Sequence, residues 1–168
     1  VNFIRKRPTQ NTQIIVNGSV GSWNNRRFEV DVSTPVSEVV NVRFVAVQHE
    51  MESYLDRYQK DKSVFYGFAE AQLTDNSDIS ISHSYNKSEA TGNLWGANPL
   101  YYSDGSATNF DSSVGTSANW SYWDVTKNNT VVEFNHYFNN NWSLRSTYSR
   151  KTTDEDSELF YVFGTPNK

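Results

Sequence analysis

The sequence contains no cysteine, one methionine and four prolines among 168 residues. Without cysteine there is no disulfide framework, no thiolate zinc site and no cysteine nucleophile. No apolar run approaches roughly 18 residues, so no transmembrane helix is expected. Hydrophobic residues are scarce at 36%, and the mean hydropathy is -0.70. These values do not exclude a membrane, because a β-barrel wall needs an apolar residue only at every second position. Charge is also slight: 15 basic against 19 acidic residues, net -4. That is too weak for an electrostatic footprint on nucleic acid. The one basic cluster is Arg5, Lys6 and Arg7, and Val1 to Ile4 ahead of it form no signal-peptide h-region.

Aromatic residues are abundant, at 15%, which argues against disorder despite the low hydropathy. They sit in strands of period two. Phe28, Val30 and Val32 alternate with Glu29, Asp31 and Ser33. Ile79, Ile81 and Tyr85 share one face of 78–85, and Val132, Phe134 and Phe138 oppose Glu133 and Asn135. The same parity runs through Ile14 to Val20, Val40 to Ala46, Phe65 to Leu73, Trp142 to Ser149 and Leu159 to Phe163. About eight strands result. Glu50 to Lys62 lacks a sustained helical face and reads as a loop.

The connections alternate in length. Short turns are expected at Pro35 to Ser37, Thr74 to Ser77 and Asn139 to Asn141, all rich in Pro, Asn or Asp. Longer ones are expected from His49 to Asp61, Lys87 to Asn128 and Lys151 to Ser157, while Gly21 to Asn25 is tight. Short turns at one end and long loops at the other are the pattern of an outer-membrane barrel. The polar parity carries Glu29, Asp31, Arg43, Glu70, Glu133 and Arg145, which suit a wet lumen better than a dry sandwich core.

A connection longer than about 15 residues is usually functional. The Lys87 to Asn128 segment holds Trp95, Tyr101, Tyr102, Phe110, Trp120, Tyr122 and Trp123 among Gly, Ser, Thr and Asn. Rigid rings beside small polar groups make a recognition surface. Packing of the rings against the barrel mouth, or a place in an interfacial girdle, is the structural alternative. No enzyme motif appears: His49, His83 and His136 are scattered, and there is no nucleophile elbow, phosphate loop or metal-spaced His cluster. Asp154, Glu155, Asp156 and Glu158 read as an exposed acidic loop.

Val1-Asn2-Phe3-Ile4-Arg5-Lys6-Arg7-Pro8-Thr9 resembles the last strand of the plug in TonB-dependent outer-membrane siderophore receptors. Gly21-Ser22-Trp23-Asn24 resembles that family's first-hairpin turn, and Leu55-Asp56-Arg57-Tyr58 the loop after its third strand. Trp95-Gly96-Ala97-Asn98-Pro99, Ser103-Asp104-Gly105-Ser106 and Asn119-Trp120-Ser121-Tyr122-Trp123-Asp124 resemble its next long loop. The likeness points to the hydroxamate branch, the ferric coprogen and ferric rhodotorulic acid receptors. Ala97 and Asn98 depart from the family's usual Gly and aliphatic residue.

The resemblance implies an all-β fold of antiparallel up-and-down strands, about eight of a barrel of roughly 22. It implies plug end at 1–10 and barrel wall at 11–168, an internal fragment of a receptor in the outer membrane of a Gram-negative bacterium. The implied partners are a ferric siderophore, the TonB-ExbB-ExbD complex and outer-membrane lipid, with no nucleic acid. Iron arrives only within its siderophore, so no cofactor, no metal ligands and no catalytic residues are expected. Siderophore contact falls to Trp95, Asn98, Tyr101, Tyr102, Trp120, Tyr122 and Trp123. Two other classes stay open: a complete eight-stranded barrel with a structural or adhesive role, and a soluble carbohydrate-binding β-sandwich.

Overall fold

The computed structural model describes residues 5–139 and 141–168. Seven long strands form one antiparallel sheet: β1 (Gln13–Val20), β2 (Arg26–Pro35), β3 (Val40–Glu52), β4 (Gln59–Thr74), β5 (Ser77–Thr91), β7 (Tyr122–Asn139) and β8 (Trp142–Glu158). Each pairs with its neighbour in chain order. Two short strands, β6 (Trp95–Gly96) and β9 (Tyr161–Val162), pair in parallel outside it.

The turns at one end are short and locally satisfied. Ser37 Oγ accepts from the Val39 and Val40 amides. Thr74 Oγ1 accepts from Asn76 N, and Asn139 Oδ1 from Asn141 N and Trp142 N. Side chains that mimic a backbone acceptor are why Ser, Thr and Asn sit there. At the other end Trp23 and Asn24 take left-handed φ values of 54 and 50°, closing the tight first hairpin.

The strands are longer than the alternation suggests. β4, β7 and β8 have 16, 18 and 17 residues, where a tilted strand crosses a bilayer in roughly 9–11. The extra length is at the long-loop end. It shortens the expected His49 to Asp61 loop to 53–58 and the Lys87 to Asn128 loop to 92–121. It also converts Lys151 to Ser157 into ladder, so Asp154, Glu155 and Asp156 lie on β8 and not on a loop. Leu159 to Phe163, expected as an eighth wall strand, instead supplies β9.

The burial pattern is inverted relative to a soluble domain. Asp31, Ser33, Ser80, Ser82 and Glu133 are buried on one face, and among the described residues only Val45, Phe68, Ala90 and Val131 are buried apolar side chains. On the other face Phe44 is 50% exposed and Tyr148 62%, and Val16, Phe28, Phe65 and Ile81 are exposed with them. Parity accounts for this directly, since β2 residues 28, 30 and 32 oppose β3 residues 48, 46 and 44. An apolar face this continuous requires lipid, and a sandwich would bury it. Among the described residues β1 and β8 remain the sheet's two edges, so the wall is open and is not a closed eight-stranded barrel.

Candidate functional site

Residues 5–12 join no ladder, and 5–9 lie against the buried polar face. Val1 to Ile4, where the plug strand begins by resemblance, fall outside the described residues. Arg5 pairs with Glu133, and Lys6 Nζ with Asp31 at 2.9 Å. Arg43 grips the same carboxylate twice, Nε to Oδ1 at 2.8 Å and Nη2 to Oδ2 at 2.7 Å. Arg43 Nη1 also donates to the Arg7 carbonyl at 2.9 Å, and the Tyr66 hydroxyl to the Lys6 carbonyl at 2.9 Å. Arg7 reaches Glu133 and Glu70 and lies 5.8 Å from the Phe68 ring centre. The Thr9 amide donates to Ser33 Oγ at 2.7 Å. The wet-lumen residues and the basic cluster are therefore two halves of one clasp. Alternation identifies the wall half and a run of charge the basic half, and nothing in the sequence pairs them.

The long-loop end holds the aromatic residues. Gly92 has φ +63, and an added Cβ would meet the Arg57 carbonyl oxygen at 2.3 Å, so only glycine lets the loop leave β5 here. Its amide bonds Ser121 O at 2.9 Å and closes the loop base. The 53–58 loop braces this base: Asp56 N donates to Ser113 O at 2.8 Å, and Arg57 Nη1 to Ser117 O at 3.4 Å. β6 then pairs with β9, Trp95 opposite Tyr161 and Gly96 opposite Val162. Ser103 N donates to Pro166 O at 2.9 Å, so the loop tip is also tied to the segment after β8.

The seven expected contact residues do not form one surface. Trp95 packs edge-on against Trp123, ring centres 5.5 Å apart. Trp120 packs the same way on Phe160 at 5.9 Å. Tyr101 is exposed and Tyr102 half-buried in a small hairpin closed by Tyr102 N to Ser106 O at 2.8 Å. There Asp104 sits below the usual carboxylate range, because the Ser106 hydroxyl and amide both donate to it. Asn98 Nδ2 donates to Val114 O at 2.7 Å, which engages the amide within the loop. Tyr122 and Trp123 belong to β7, not the loop, and project to opposite faces. Tyr122 donates to Asp156 on the outer face at 3.1 Å. Trp123 is on the lumenal face, where its indole nitrogen is buried without a partner among the described residues. It lines a cavity of about 550 Å³ with Tyr58, Lys60, Lys62, Asn86 and Lys127. Sequence reasoning missed those lysines, although all three sit on the polar parity.

No family model matches the chain. It is 34% identical over 98% of its length to the ferripyoverdine receptor of Pseudomonas aeruginosa, covering 20% of that protein. It is 32% identical over 100% of its length to the ferric-pyoverdine 358 receptor of Pseudomonas putida, again covering 20%. The crystal structure of the Pseudomonas aeruginosa outer-membrane ferripyoverdine receptor bound to ferripyoverdine superposes with a TM-score of 0.90 at 30% identity, over 95% of this chain and 22% of that one. The chain belongs to the TonB-dependent siderophore receptors. This receptor segment spans about a fifth of the length of the curated relatives it matches. Its relatives here are ferripyoverdine receptors, which lend no support to a narrower likeness to coprogen or rhodotorulic acid receptors. They are receptors and not enzymes.

Proposed function

We propose that the chain is part of an outer-membrane receptor that takes up a ferric siderophore with energy from the TonB-ExbB-ExbD complex. Residues 1–10 end the plug, and 11–168 form the first third of the wall. Iron travels as cargo within its chelate, so the receptor supplies ring faces and hydrogen-bond donors, not metal ligands. The observation that carries this reading is the inverted wall, with lipid-facing apolar side chains outside and a basic segment clasped to buried carboxylates inside. A plug must be held by the wall and yet be releasable, and solvated ion pairs worth about 0–1 kcal/mol each meet both needs.

Binding falls to the mouth aromatics. Trp123 faces the lumenal cavity with Trp95 packed edge-on against it, and Tyr101 and Tyr102 sit at the loop tip. Trp120 and Asn98 hold the loop in shape while keeping exposed surface for a chelate, and Tyr122 stands at the outer rim. A hydroxamate-type chelate that also carries an acidic group suits such contacts. The test is radio-iron binding and uptake by cells carrying the full-length receptor, with ferripyoverdine and a ferric trihydroxamate as ligands. Saturable binding of one of them, with uptake abolished when TonB is absent, is expected. Binding of neither would overturn the reading.

A further inference from the structure

The upper wall separates charge by strand parity. On β4, Lys60 and Lys62 share the lumenal face, while Asp61 between them projects outward. On β5, Glu89 goes outward while Asn86 and Ser88 line the lumenal cavity. On β7, Asp124 goes outward while Trp123, Val125 and Lys127 line it. The ladder brings these rows together: Lys62 lies opposite Ser88, which lies opposite Val125, and Asn86 lies opposite Lys127. The result is an inner recess of three ammonium groups over an indole and an asparagine, backed by an outer row of carboxylates.

Among the described residues no ion pair involves Lys60, Lys62 or Lys127. The acidic lumenal neighbour, Glu155 on β8, lies opposite Val125 and bridges to none of them. The Trp123 indole N–H, buried at the same recess, also has no acceptor among the described residues. Three cations without acceptors, in a cavity of about 550 Å³ walled by the Trp123 ring, fit an oxygen-rich anion. We infer that this recess receives an anionic group of the ferric siderophore and makes the receptor selective for negatively charged chelates over uncharged ones. The inference rests on the receptor reading above and adds the charge class of its ligand. The outer carboxylates take no part in binding, because the wall separates them from the recess.

The test uses the full-length receptor carrying this segment. Dissociation constants are measured by intrinsic-fluorescence quenching with three probes: ferripyoverdine, a triply anionic ferric tricatecholate and an uncharged ferric trihydroxamate. Wild type is compared with the triple variants Lys60→Gln/Lys62→Gln/Lys127→Gln and Lys60→Arg/Lys62→Arg/Lys127→Arg at low and high salt. Three partly exposed ion pairs predict that the glutamine variant loses roughly tenfold in preference for the anionic over the uncharged probe. Its salt dependence should flatten, and the arginine variant should keep both. An unchanged preference and salt dependence would overturn the inference while leaving the receptor reading intact. Wild type that binds none of the probes would overturn both.

Discussion

The Asp31 clasp sets how firmly the basic segment is held, and Asp31→Ala tests it. Asp31 is 2% exposed, accepts two hydrogen bonds from Arg43 and pairs with Lys6 at 2.9 Å. Removing it leaves the Arg43 side chain, itself 12% exposed, without its carboxylate. Breaking a buried pair in this way costs about 3–5 kcal/mol. Lys6 is more than half exposed, so its share is discounted to under about 1 kcal/mol. Arg43 also keeps its bond to the Arg7 carbonyl, which limits the effect on the segment itself. Local opening of residues 5–9 should therefore become easier by about 1 kcal/mol, or roughly fivefold. Amide exchange of the full-length receptor, followed by mass spectrometry on the peptide containing Thr9, reads this opening. Thr9 N is bonded to Ser33 on the same wall strand, so its exchange reports release of the segment. The double variant Asp31→Leu/Arg43→Leu replaces both partners by apolar groups and should regain most of the wall stability without regrasping Lys6. Exchange in Asp31→Ala within threefold of wild type would refute the clasp.

Four further outcomes are expected elsewhere in the molecule. Gly96→Ala should detach β6 from β9, because Gly96 has φ +101 and a Cβ would stand 3.2 Å from both the Tyr161 ring and Val162 O; amide exchange at 161–162 should quicken. Gly105→Ala, with φ +81 but open space, should cost only the backbone strain of about 1 kcal/mol and leave that pairing intact. Phe44→Arg, on the lipid-facing parity, should cost about 2–4 kcal/mol in urea titrations of the receptor folded into vesicles, and a neutral result would refute that orientation. Finally, the donors around Asp104 and Asp111 lower both carboxyl groups below their ordinary value of 3.8. The folded value is the depressed one, so their contribution to loop order is full above about pH 4 and is lost as pH falls further. Tryptophan emission from the loop should change in that acid range and be flat from pH 5 to 8.

Strand parity was legible wherever one face is apolar. The run from Phe28 to Ser33 and that from Ile79 to Tyr85 needed no structure to be placed. The signal failed above the apolar band. There Asp61, Glu89, Asp124 and Asp156 replace hydrophobic residues on the outer face, so both faces are polar and period two vanishes. The strands continue regardless, because ladder hydrogen bonds do not depend on which side chain projects. Leu159 to Phe163 misled in the opposite sense: its alternation is real, yet with Phe160 against Trp120 it packs on the mouth loop instead of the wall.

Residue order along each strand is enough to specify the wall. Alternation, turn residues and the lack of cysteine and helical runs suffice, because each is a local property read along one strand. The partners come from how the strands assemble. That Arg5 meets Glu133 across 128 positions, that Trp95 packs on Trp123, and that three lysines share one recess with an unpartnered indole depend on register between strands distant in sequence. Register is set by how the whole sheet pairs, and a shift of one residue would send every one of those side chains to the other face.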